Sequence, residues 1–476
     1  MPDMCISESS DEALAFDKVL AGEIYTSSEI QANLEILCDD FGSRFPGTEA
    51  ESRAADFLEA KLSEYGLANV HREPFEYNGW KRSGAQFSVV SPWQRDLECL
   101  SMPMSPPGRV RGRIVDVGAG APEAFDALKG ELDGNIALVS IVNPPSADRW
   151  IHRTEKYNRS ILAGAKAFIF MGDEAGLGPI TGTLGFNQWG MIPGIMISKE
   201  KGLMLQRMML RSDEVEAVVE TTDTQVRMTS WNIIGDVNGT DPDGEMVVIG
   251  CHYDGHDISQ GAVDPISGLV ATLDIARAMS LCSDRVKRTI RFVLFGVEEL
   301  GLIGAHAYVN GHADELDRTR FMFNLDSAGG WMRKGLIVYG PDTRDYFRDL
   351  GLEMNENLLV DVDAFPLREP EHLSADHYAF DLAGLPCGII GDPHVRELSG
   401  FYHTAHDTVD KVSLLNVREA GILTARLAWR VANDDGWSFA RVGEEVRARR
   451  ASSYEQCEAC LVEKAVNALR EKGTNQ

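Results

Sequence analysis

The chain has no apolar run approaching the roughly 18 residues that a membrane-spanning helix needs, which argues against a transmembrane protein. Its first residues, MPDMCISESSDEALAF, lack the basic start and apolar stretch of a secretory signal. A cytoplasmic protein is the expectation, although a trimmed, secreted mature form would read the same way. Basic residues are also in deficit: 46 Lys and Arg against 73 Asp and Glu give a net charge of −27. Nucleic acid and anionic membrane surfaces need basic patches, so neither is expected as a partner. Solubility is the simpler account of the acidity, and adaptation to salt the lesser one. Cysteine is sparse, with 8 in 476 residues and no paired spacing. Cys251 and Cys387 lie in apolar stretches and read as small core residues. Cys457 and Cys460 form a lone C-x-x-C, and without a second pair a zinc ribbon is not expected. Internal repeats are absent too, which excludes a repeat architecture.

What is present is ordinary for a soluble globular protein, with 44% hydrophobic and 25% charged residues. The length allows two or three domains, each with its own core. Residues 29–67 read as helical, with Ala54, Phe57, Leu58, Leu62 and Tyr65 on one face and Gly66 as a stop. From about residue 85 the pattern changes to short strand-like pieces separated by Gly, Pro and Asp, such as 113–117, 136–139, 167–170 and 194–197. A strand pattern resumes at Trp231–Ile234, and 238–245 reads as a tight hairpin turn into the next strand. Beyond it strands and helices alternate, which predicts an α/β fold with a mixed, mainly parallel central sheet flanked by helices. The expected divisions are 1–95 (first part of the main domain), 96–227 (a β-rich insert), 228–435 (the rest of the main domain) and 436–476 (a helical extension).

Four acidic and histidine patches carry the chemistry: HYDG at 252–255 with GAVDPISG at 261–268, VEELG at 297–301, NLDSAG at 324–329, and YHTAHDT at 402–408. The first three follow short β-branched or aromatic runs, which read as buried strands. Open α/β sheets put their active sites just past the carboxyl ends of such strands. A lone histidine is more often a packed or surface residue than a ligand. His71, His152 and His312, in polar surroundings, are expected on the surface, His306 on a helix and His394 in a turn. His252 and His403 stand out by their acidic company. Adjacent acids such as Glu298 and Glu299 are usually a solvated surface pair, but here they close an apolar run, and neighbours at a strand end point to different sides.

The pattern HYD…GAxDxxSG…EE…NLD…YHTxxDT resembles the di-zinc exopeptidases of clan MH. The likeness covers GSRFPGTEAESRAADFL near the N-terminus and nearly all of 228–435. GHDISQGAVD looks like the plasma glutamate carboxypeptidase branch, and 100–225 resembles a protease-associated insert. The resemblance implies two Zn²⁺ per chain, with His252 and Asp326 on one, Glu299 and His403 on the other, and Asp264 bridging. It makes Glu298 the general base, Tyr402 an oxyanion donor, and Asp254 the residue that orients His252. Two Zn²⁺ against three carboxylates and a bridging hydroxide leave the centre neutral. Relatives hold a cis peptide after the bridging aspartate; here that bond is Asp264–Pro265, and cis is expected. Gly255 replaces a serine frequent in relatives, with no ligand lost. His372 and His377 mimic a metal spacing; Asp376 and His377 are expected beside the pocket and off the metal, as is His406.

The implied function is hydrolysis of terminal peptide bonds by a two-metal, bridging-hydroxide mechanism, with a peptide or dipeptide as substrate. An aminopeptidase is the leading form and a dipeptidase or carboxypeptidase the alternative, Leu367–Pro370 offering either charge to the free terminus. A single-zinc glutaminyl cyclase and a ligand-stripped binding scaffold are lesser rivals. The nitrogen and oxygen donors suit zinc, and cobalt or manganese fit similar sites. A homo-oligomer is left open.

Overall fold

The structure is a computed structural model. It describes residues 9–474 except 213, 242–243, 330–334, 340–342, 355–358, 362–374 and 392–399. Leu367–Pro370, His372 and His394 therefore lie outside the described residues.

Strand β1 (Ala68–Lys81) is followed by eight short strands: β2 (Ala85–Ser91), β3 (Arg95–Leu97), β4 (Leu100–Ser101), β5 (Gly108–Asp116), β6 (Ile136–Ser140), β7 (Ala167–Met171), β8 (Gly194–Ile197) and β9 (Glu216–Thr221). The chain returns through β10 (Thr224–Val237), β11 (Met246–His252), β12 (Thr289–Phe295) and β13 (Thr319–Asn324). It ends its strands with β14 (Gly335–Tyr339), β15 (Leu359–Asp361) and β16 (Cys387–Gly391). These make two sheets, ordered β1-β10-β12-β11-β13-β16-β14-β15 and β3-β2-β9-β5-β6-β7-β8-β4.

In the first sheet β12, β11, β13 and β16 run parallel, so their carboxyl ends share one edge. Alternation along β11 sends Val247, Ile249 and Cys251 into one core and Val248 into the other. Helices Ser9–Thr26, Glu49–Glu64, Gly268–Ser280 and Leu414–Asn433 cover the first face, and Ile303–Gly311 with His377–Leu382 the second. Gly268 lets its helix start against β13: a Cβ there would stand 1.7 Å from the Leu325 carbonyl oxygen. This is the α/β layering expected from strand–helix alternation.

Three expectations differ in detail. The helical stretch at 29–67 is broken across 41–48, where Gly42 and Gly47 take positive φ. The 238–245 segment makes no hairpin, because β12 lies between β10 and β11 and pairs with both. The second sheet begins at β2, so residues 85–95 pair within it and not with the first sheet.

The second sheet docks on the first through a shared core. Val139, Phe168, Phe170 and Met196 pack in one cluster with Val297, Leu300 and Ile303, the loop that carries Glu298 and Glu299. The Asn187 N–H donates to the Leu300 carbonyl at 2.8 Å. The C-terminal extension forms helices Glu444–Gln456 and Glu458–Thr474, the second tied to the insert. Glu458 pairs with Arg149 and Arg159, and Arg470 donates to the Trp189 carbonyl. Among the described residues no helix is long and apolar enough to cross a membrane.

Candidate metal centre

His252 is the last residue of β11, Glu298 and Glu299 follow β12, and Asp326 follows β13, so three parallel strands deliver them to one edge. Asp264 comes from the turn before helix Gly268–Ser280, and its bond to Pro265 is cis. His403 comes from the loop after β16. Val297, Ser327 and His403 take left-handed backbone, with φ of 59°, 55° and 56°. Such backbone is costly for residues with side chains and is found where surroundings over-determine it, often at functional sites.

Asp264 joins two groups. Its Oδ1 is 3.2 Å from His252 Nε2, which is itself 3.4 Å from Asp326 Oδ1. Its Oδ2 is 3.6 Å from His403 Nε2, which is 3.4 Å from Glu299 Oε2. The structure thus brings together His252, Asp264, Glu299, Asp326 and His403. It adds His256, unassigned by the sequence motif, whose Nε2 lies 2.8 Å from Glu299 Oε2.

The surroundings fix how each group points. His252 Nδ1 contacts the Asp254 main-chain oxygen at 3.1 Å, and His403 Nδ1 the Thr181 oxygen at 3.2 Å. A protonated Nδ1 donating to each carbonyl leaves the Nε2 lone pairs facing the centre. Asp254 meets His252 Nδ1 through its backbone oxygen and, at 3.6 Å, through its carboxylate. Its carboxylate has another partner set, accepting from the Glu298 N–H at 2.9 Å and the Glu299 N–H at 3.2 Å. The glutamate pair sits in a turn past the strand and not on its end, and Asp254 holds that turn. Asp407 accepts from the Val263 and Asp264 N–H groups at 2.7 and 3.1 Å and fixes the bridging loop in the same way. Tyr402 stacks on His403 with ring centroids 3.6 Å apart.

Electrostatics follow from burying acids together. Burial raises Glu298 well above the carboxylate range, with Glu299, Asp376 and Asp326 adding to it and His252 opposing. Burial and then the Asp264 charge push Asp326 up to about 6. Burial acts against the Glu299 charge as well, but His256 and His403 outweigh it and hold Glu299 low. Burial raises the Tyr402 phenol, and Asp264 and Glu299 raise it further. Asp376 is fully buried and raised in the same way, while His377 opens the helix beside it.

The residues fit metal ions. The buried Nε2 atoms of His252 and His403 make no hydrogen bond, which is costly unless a cation accepts their lone pairs. Histidine nitrogen with carboxylate oxygen is the donor set of catalytic zinc.

The remaining histidines are peripheral, but two expected on the surface, His152 and His312, are half-buried. His71 and His406 are exposed. His312 is half-buried and ion-paired with Glu73 and Glu315. His152 stacks on Phe186, and burial lowers the pKa of Arg153 after it while the Glu299 and Glu298 charges of the centre oppose that lowering. Arg153 Nε donates to the Thr183 carbonyl at 2.9 Å. Arg153 and Thr181 belong to the insert, and no sequence motif marked them.

An α/β sheet bearing this histidine–carboxylate cluster at its carboxyl edge defines a metallo-exopeptidase. Residues 232–428 match Peptidase family M28 and residues 110–205 match the PA domain; the chain belongs to that peptidase family and carries that insert. Aminopeptidase YwaD of Bacillus subtilis is 29% identical over 86% of each chain. Carboxypeptidase Q of Mus musculus is 27% identical over 84% of this chain and 85% of its own. The solved structure of BSAP, a zinc aminopeptidase from Bacillus subtilis, superimposes with a TM-score of 0.67 at 27% identity, covering 88% of this chain and 98% of that one.

Proposed function

We propose that the chain holds two zinc ions and acts as an aminopeptidase, releasing the first residue of a peptide. The observation that carries this reading is the Asp264 carboxylate, one oxygen toward His252 and the other toward His403, which makes two groups into one centre. Two cations at that centre supply Lewis acidity toward the scissile carbonyl and lower the pKa of water. Glu298 takes the proton of the attacking water and passes it to the leaving amine. Tyr402 stays protonated and donates to the developing oxyanion. Asp254 holds the Glu298–Glu299 turn so that one acid faces the cations and the other the water. The likeness to Aminopeptidase YwaD supports the aminopeptidase form.

One observation favours a second reading. Arg153 of the insert places a guanidinium beside Gly182, next to the Thr181 peptide that faces His403, where Glu299 and Glu298 act on its charge. A guanidinium matches a carboxylate by charge and fork geometry, as a carboxypeptidase or dipeptidase would need, and Carboxypeptidase Q is among the relatives. Zinc content per chain, measured with hydrolysis of dipeptides blocked at either end, separates the two. About two zincs and loss of cleavage on amino-terminal blocking are expected. Loss only on carboxyl blocking transfers the assignment to the carboxypeptidase form, and one metal without hydrolysis defeats both.

A further inference from the structure

His256 shares a buried, unbonded Nε2 with the two histidines already at the centre, but its Nδ1, unlike theirs, meets no backbone carbonyl. It is 2% exposed, and like His252 and His403 it carries a buried Nε2 that makes no hydrogen bond although a carboxylate oxygen stands nearby. The 2.8 Å separation from Glu299 Oε2 suits a charge-assisted hydrogen bond. Yet neither ring nitrogen of His256 makes a hydrogen bond. Zinc bonds of about 2.0–2.2 Å hold neighbouring tetrahedral ligand atoms roughly 3.3 Å apart. The other histidine–carboxylate spacings, 3.2 to 3.6 Å, bracket that figure. The His256 pair needs to open by about half an ångström to reach it. Ligand atoms of His256, Glu299 and His403 all fall within 4.8 Å of one another. The two imidazoles meet edge to face with centroids 4.2 Å apart, both nitrogens beside the same Glu299 oxygen.

The loop that bears His256 is held on both sides. Before it, the Gly255 N–H donates to the Arg44 carbonyl at 3.3 Å, and Arg44 Nε donates to the Tyr253 carbonyl at 3.0 Å. After it, Asp257 takes a two-pronged bond from Arg82, at 2.6 and 2.8 Å. The backbone on either side of His256 is fixed in this way, which keeps the residue beside Glu299.

We propose that His256 is a metal ligand through Nε2, resting on the two-cation reading above. The centre is then asymmetric. His252, Asp264 and Asp326 give one cation three protein ligands, while His256, Glu299, His403 and Asp264 give the other four. A zinc with three protein ligands keeps a position open for water or substrate, whereas four close the shell. The His252 side is therefore the open, exchangeable one, and the His256 side holds its metal more tightly.

The test uses the full zinc-loaded chain as wild type, His256→Ala and His256→Gln. A competing chelator measures the two affinities, and X-ray absorption fine structure counts imidazoles bound to zinc. Wild type should hold two zincs of unequal affinity sharing three imidazoles. Either substitution should weaken the tighter site by at least the roughly 10–100-fold that partners which merely orient a ligand are worth and remove one imidazole from the count. Glutamine keeps an amide able to donate to Glu299, so it would rescue a histidine that only positions that acid. Two imidazoles over two zincs in wild type, or unchanged affinities in His256→Gln, overturn the assignment, and the first needs no variant to fold. Wild type holding fewer than two zincs fails the two-cation reading itself, and this proposal with it.

Discussion

The two sides of the centre are built from different parts of the molecule. On the His252 side everything is local to the first sheet: β11 ends in His252, Asp326 follows β13, and Asp254 two residues on supplies the carbonyl that meets His252 Nδ1. On the His403 side the insert takes part. Thr181 meets His403 twice, its N–H donating to the His403 carbonyl at 2.8 Å and its own carbonyl facing Nδ1 at 3.2 Å. The loop carrying Glu299 packs its Val297 and Leu300 into the insert's core. One side is thus set by strand ends, and the other by how the insert docks. An insert in this position is a structural part of the centre and not only a cover for it.

The residue common to both sides gives the largest effect. Asp264→Asn removes one charge facing each group, so both zincs should be lost and hydrolysis with them. Glu298→Gln is the counterpart. It should keep both zincs and cost about 10²–10⁴-fold in kcat. Metal analysis beside single-turnover kinetics checks the pair. If Asp264→Asn strips one zinc only, the bridge is not shared.

A smaller effect should fall on one side alone. Gly182 follows Thr181 with φ of +147°, and a Cβ there would stand 2.2 Å from Arg153 Cζ. Gly182→Ala therefore twists the peptide that faces His403 and displaces Arg153. Partners that orient a ligand are worth about 10–100-fold in metal affinity, so that loss is expected at the His403 side with the His252 side unchanged. Equal weakening of both sites in a chelator titration, or none, erases the distinction between them.

How far each side was legible in the sequence follows the same division. The strands before His252, Glu298 and Asp326 announced themselves as apolar runs ending in acid or histidine, because a buried parallel strand has no polar face to interrupt the run. The ordered motif named five of the residues that meet at the centre. His256 was passed over because it sits among residues of a motif that assigns it no role, and only the turn held by Arg44 and Arg82 folds it back toward Glu299. Thr181 left no trace at all, since it acts through its backbone, which every residue has. The false hairpin at 238–245 came from reading a local turn where a distant strand, β12, takes the place between its arms. Local patterns carried the local side; long-range docking carried the other.

The smallest expected effect lies behind the His252 side, at Glu51. This acid opens helix Glu49–Glu64, accepts from the Gly47 N–H and the Ser230 hydroxyl, and is 1% exposed. Burial raises its carboxyl to about 8; the Ser230 and Gly47 bonds oppose this and the Asp254 charge adds to it. Unfolded, it releases its proton near the ordinary value of 4.5. Between those values the folded chain holds a proton that the unfolded chain has lost, so stability falls as pH rises through that window and levels off above it. Glu51→Gln fixes the neutral form. It should match wild type near pH 5 and exceed it at pH 9, by less than the roughly 5 kcal/mol that a rise from 4.5 to about 8 sets as a ceiling at about 1.4 kcal/mol per pKa unit. Urea midpoints at both pH values, with zinc held constant, test the sign. A wild-type midpoint that drops no more than the variant's means that Glu51 is charged in the fold, and that the wall behind His252 is more polar than its burial implies.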